Sequence, residues 1–147
     1  MTKFEKDNVK EYLRKGGKLI GDIILEVYGE SINQASEVAF YDAVEIGIEN
    51  TVAALYDTDV DDNQIIRVLN KYWGISKDEA ESRLLYEKQE AVSRELEWYL
   101  KMQGLSSADI KKFMKSNKVK TKISHNNELL KLRRNPEKLI KNVKEFK

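Results

Sequence analysis

The chain contains no cysteine, which excludes a disulfide scaffold, a thiolate metal site and a cysteine nucleophile. It contains one histidine, His125, so no motif that needs a pair of histidine ligands can be assembled. Proline occurs once and glycine seven times in 147 residues, while charged residues make up 35%. So few helix breakers in so charged a chain point to helices packed around an apolar core. Long hydrophobic runs are missing too. The most apolar stretch, residues 19–28, carries Asp22 and Glu26. It is half the roughly 20 residues that a membrane-spanning helix needs. Residues 1–7 are charged with no apolar core behind them, unlike a signal peptide, so a cytoplasmic location is expected.

One further absence is local. Between Lys18 and Arg67 there are 48 residues with 11 acids and no Lys or Arg. From Lys101 onward there are 14 bases against 4 acids, a charge of +10, while residues 1–100 carry −9. The net charge of +1 hides this segregation. It suggests an acidic helical bundle over 1–104 and a basic helical segment over 105–147, packed on the bundle or extending from it.

Apolar residues recur at helical spacing along most of the chain. The pattern predicts helices over 3–15 and 18–28, closed by Gly16-Gly17 and Gly29. Ser31 with Gln34 fits a capping box for a third helix that reaches Tyr56. On it Ala35, Ala39, Ala43 and Gly47 form a row of small side chains, suited to close packing within the chain or to an oligomer seam. Further helices are expected over 63–73, 77–103 and 108–116, with Asp61 or Asp62, Ser76 and Ser106 as caps. In the long one, Leu85, Val92, Leu96 and Tyr99 mark one seam and Ala80, Leu84, Ala91 and Trp98 another. Residues 117–127 are polar and predicted to form a loop. Asn135-Pro136 opens a last helix over 137–146. No strand is expected. The predicted fold is an all-α, single-domain multi-helix bundle of about seven to eight helices, with the helix at 77–103 as its spine.

Sites for chemistry are scarce. Asp57, Asp59 and Asp61 have the spacing of the first half of a calcium loop. The glycine and the bidentate glutamate that complete such a loop are replaced by Asp62 and Val68. Residues 65–84 resemble a helix-turn-helix in apolar spacing, but the would-be recognition helix opens with Asp78, Glu79 and Glu81, which phosphate repels. A plain helical hairpin is the better reading. His125 sits beside Ser124 and Asn126 in the polar stretch, with no nucleophile elbow, phosphate loop or dinucleotide fingerprint anywhere. No catalytic residue, metal or cofactor is therefore expected, and the protein is not expected to be an enzyme.

Two charged surfaces remain as candidates for partners. The acidic one comprises Glu37, Asp42, Glu45, Glu49, Asp57, Asp59, Asp61 and Asp62. Such a face suits a basic partner, and a protein of bacterial, phage or mobile-element origin that mimics nucleic-acid charge to inhibit a nuclease is the leading expectation. The basic one comprises Lys111, Lys112, Lys115, Lys118, Lys120, Lys122, Arg133 and Arg134. It suits phosphate backbone, as in a nucleic-acid-binding accessory protein, though Phe113 and Phe146 offer few rings for stacking. A third reading is a structural or oligomeric helical module whose acids and bases pair internally.

Overall fold

In a computed structural model of the chain, residues 34–145 are described. The helices expected over 3–15 and 18–28, and the Ser31 cap, lie outside them. The described residues form α1 (Gln34–Asp57), α2 (Asp62–Trp73), α3 (Lys77–Met102), α4 (Ser107–Ser116), α5 (Val119–His125), a 3-10 helix (Asn127–Leu132) and α6 (Pro136–Glu145). No strand occurs among them, so the fold is all-α as the periodicity requires.

Helix ends fall where short polar residues can satisfy orphan N–H groups. The Asn63 N–H donates to the Asp61 carboxylate at 3.0 Å, Glu79 N–H to Ser76 Oγ at 3.2 Å and Asp109 N–H to Ser106 Oγ at 3.1 Å. Lys138 N–H donates to Asn135 Oδ1 at 3.1 Å, with Pro136 in the first helical position, where its missing N–H costs nothing. Gly74, at φ 64°, closes α2 in the left-handed conformation open to glycine.

The chain divides into two compact units, residues 1–84 and 85–147, and the division falls inside α3. The change of charge composition comes later along the chain, near the end of α3, whereas the second unit already draws Val92, Leu96 and Leu100 of its core from α3.

In the first unit, Val44, Ile48 and Val52 recur every fourth residue on α1 and are buried with Ile65 and Leu69 of α2, Ile75, and Ala80 and Leu84 of α3. Of the small residues on α1, Ala39 and Ala43 are exposed, and Gly47 lies under the Trp73 ring. A Cβ on Gly47 would stand 2.6 Å from the ring. The ring is pinned there: Trp73 Nε1–H donates to Thr51 Oγ1 at 3.1 Å, and the Thr51 hydroxyl donates to the Gly47 carbonyl at 2.8 Å. At Gly47, then, the small residue serves packing within the chain. The helix-turn-helix look-alike is a hairpin whose turn is held by Asn70 Nδ2, which donates to the Ile75 carbonyl at 3.0 Å.

In the second unit, Val92, Leu96 and Leu100 of α3 are buried with Ile110, Val119, Ile123, Leu129, Leu139 and Val143. Here two expectations are corrected. Residues 117–127 are not a loop: most of them belong to α5 and to the start of the 3-10 helix. Val119 and Ile123 are fully buried, and their spacing of four, masked by intervening lysines, is what makes the segment helical. Leu85 and Trp98 do not lie in buried seams; both are exposed. A stripe at helical spacing says which residues share a face, not whether another element covers that face.

Candidate nucleic-acid interface

The second unit carries a groove of about 750 Å³. One wall is α3, through Arg94, Glu97, Trp98 and Lys101. These recur at i, i+3, i+4 and i+7, so they stand on one helix face by geometry alone. The other side is α4 and the start of α5. Ser107, Ile110, Lys111, Met114 and Lys115 repeat the helical spacing, and residues 118–121 follow.

Six bases and one acid line this space. Two of the bases are already engaged, Arg94 with the buried Glu87 and Lys120 with Glu90, whose two carboxylate oxygens lie 3.1 and 2.9 Å from Lys120 Nζ. Accepting these hydrogen bonds, Glu90 raises the Lys120 pKa above the ordinary lysine value against the opposing effect of burial. The other four, Lys101, Lys111, Lys115 and Lys118, are exposed and form no ion pair among the described residues. Lys118 has a further peculiarity. It links α4 to α5 with φ 49° and ψ 43°, a left-handed conformation in which a residue with a Cβ is strained. The tight connection that brings α5 alongside α4 is thus made by a lysine rather than by glycine.

Of the basic residues singled out from the sequence, Lys111, Lys115, Lys118 and Lys120 line the groove. Lys112, Lys122, Arg133 and Arg134 do not. Lys112 is exposed elsewhere on α4, Arg133 and Arg134 follow the 3-10 helix, and Lys122 donates to the Val143 carbonyl at 2.5 Å near the end of α6. Lys122 therefore has a packing role, since a cation near a helix C-terminus meets its partial negative charge. Sequence reasoning did not single out Arg94, Trp98 and Lys101, all three contributed by α3. Their helical spacing was the available signal.

The acidic candidates are more dispersed. Val38, Asp42, Glu45 and Glu49 follow a stripe along α1. Glu45 is taken up by Arg83, with Nη1 and Nη2 at 2.9 and 3.1 Å from its two oxygens. Arg83 also donates to Glu79 through Nε at 3.0 Å and Nη2 at 2.8 Å. Burial lowers the Arg83 pKa, but the hydrogen bonds it donates to these two carboxylates, together with their negative charges, outweigh it and hold the value above the ordinary one. Asp42 and Glu49 are exposed and form no ion pair among the described residues. Glu37 is half-buried near the start of α1. Asp57, Asp59, Asp61 and Asp62 shape the α1–α2 turn, where Asp59 has φ 57° and Asp61 caps α2.

His125 ends α5, its Nδ1 2.7 Å from the Thr121 carbonyl and 3.2 Å from Ser124 Oγ. No group of three or more His, Asp or Glu is placed to hold a metal ion among the described residues, and none of their helices is long and apolar enough to cross a membrane. Comparison with family models, with curated proteins and with solved structures finds no match to this chain.

Proposed function

We propose that this chain is a non-catalytic nucleic-acid-binding accessory protein that holds phosphate backbone in the groove of the 85–147 unit. The observation that carries this reading is the set of four exposed lysines, Lys101, Lys111, Lys115 and Lys118, which line one concavity without carboxylate partners among the described residues. Like charges gathered around a concavity repel each other and focus the field there, and a polyanion relieves that repulsion while releasing its own counterions.

The test is fluorescence anisotropy of the full chain with a labelled mixed-sequence oligonucleotide across a salt titration. Four phosphate contacts predict a slope of log affinity against log salt of about −3 on a single strand. Changing Lys111, Lys115 and Lys118 together to Gln should lower affinity more than tenfold and reduce the slope by about 2. Absence of binding at low salt overturns the reading, as does binding to anionic lipid vesicles but not to the oligonucleotide.

A second reading rests on α1. Val38 and Ile46, each 56% exposed, share that helix with Asp42 and Glu49, which form no ion pair among the described residues. An acidic surface interleaved with apolar side chains suits a basic protein partner, as the charge-mimic expectation requires. Asp42→Asn with Glu49→Gln should then abolish inhibition of a susceptible nuclease while leaving oligonucleotide affinity unchanged. Unchanged inhibition overturns this second reading.

A further inference from the structure

We infer, resting on the nucleic-acid reading above, that the groove selects single strands over duplex by stacking an unpaired base on the indole of Trp98. Trp98 is 60% exposed, although tryptophan has more apolar surface to gain from burial than any other side chain. Its indole N–H makes no hydrogen bond among the described residues, and the second unit has a complete core without it. Packing thus gives no account of a tryptophan at this position.

Its surroundings do. Trp98 lines the same groove as the four exposed lysines, with Arg94 one helical turn before it and Lys101 one turn after it on the same face of α3. Met114, a polarizable side chain that adapts to flat rings, lines the groove from α4. A flat ring between cations is how sequence-tolerant single-strand binders are built: the cations follow the backbone and the ring takes the face of a base. A duplex cannot use such a ring, because its base faces are hidden in the stack and its grooves present only base edges. The lysines alone would bind either form. Trp98 adds a contact that only the single strand can accept. Glu97, the one carboxylate in the groove, subtracts from backbone attraction for both forms alike.

The experiment compares a labelled 12-mer of oligo-dT with a blunt duplex of equal length, using the full chain at fixed low salt. The expected result is at least tenfold tighter binding of the single strand. Trp98→Ala should lower single-strand affinity about 5- to 100-fold, leave duplex affinity within twofold and leave the salt slope unchanged. Trp98→Phe, which keeps a ring, should recover much of the loss, and circular dichroism should show both variants folded as the parent is. Equal affinity for the two forms, or a Trp98→Ala variant that binds oligo-dT as the parent does, overturns the stacking inference while the phosphate-groove reading survives. Failure of the parent chain to bind either form overturns both.

Discussion

Each of the two units has one tryptophan, and the two side chains are used in opposite ways. Trp73 lies over Gly47, its ring fills space that a Cβ would need, and its N–H is satisfied by Thr51. Trp98 stands in water beside a row of cations. Charge is handled with the same contrast. In the first unit Arg83 crosses from α3 to α1 and binds Glu45 with both terminal nitrogens. In the second unit four groove lysines form no ion pair among the described residues. Both units close a core of buried aliphatic residues, so the difference does not reflect a failure to fold. Trp73 and Arg83 are spent on internal structure, whereas Trp98 and the four groove lysines are left available, and availability is what a binding surface requires.

The largest effect that separates the two units is on stability. Trp73→Ala removes a half-buried ring and strips Thr51 of its donor, so it should cost about 2–3 kcal/mol in urea unfolding followed by circular dichroism. Trp98→Ala should change stability by no more than about 0.5 kcal/mol, since the ring is mostly in water already. A loss of about 2 kcal/mol or more at Trp98 would mean that the ring is a packing element and would erase the contrast.

An intermediate effect is expected at Lys118. Lys118→Gly relieves the left-handed strain, a benefit of about 1 kcal/mol that the greater freedom of glycine in the unfolded chain partly offsets. The urea midpoint should therefore hold or rise slightly. Oligonucleotide affinity should fall a few-fold and the salt slope flatten by about 0.7, one phosphate contact on a single strand. A variant that is both less stable and unchanged in binding would show that the lysine serves the turn and not the groove.

The smallest effect is on pH dependence, and it belongs to the second unit. Lys120 holds its proton more tightly in the folded chain because Glu90 accepts its hydrogen bonds. Tyr99 does so because desolvation, the nearby Glu137 charge and the hydrogen bond to Glu137 disfavour its phenolate. Both groups therefore give the folded state more bound protons than the unfolded chain at alkaline pH. The stability they contribute is complete below about pH 10 and is lost as pH rises through the folded values. Urea midpoints for the parent and for Glu90→Gln should differ most near neutral pH and converge above about pH 11. A difference independent of pH would exclude the Lys120–Glu90 pair as its source.

Most helices were legible because their signals are local. Apolar spacing places α1 to α4 and α6, and Asp61, Ser76, Ser106 and Asn135 mark where four of them begin. The α5 segment was not legible, because Val119 and Ile123 are two apolar residues among lysines and their burial depends on the elements around them. The binding surface was half legible. Lysines 111, 115, 118 and 120 stand out in a basic segment, but Arg94 and Trp98 belong to an otherwise acidic stretch of helix that Lys101 closes, and all three look like ordinary helical periodicity.

The sequence by itself determined the all-α class, the caps and stops of the helices and the separation of acidic from basic residues, since each follows from interactions within a few residues along the chain. Only the tertiary structure decided which apolar stripe stays uncovered and which charges meet. Arg83 finds Glu45 across 38 positions and Lys120 finds Glu90 across 30, while Trp98 and four lysines are left facing one groove. The reason is physical. A helix face becomes core or surface according to whether another element packs on it, and that depends on how the remaining helices close around their own buried residues.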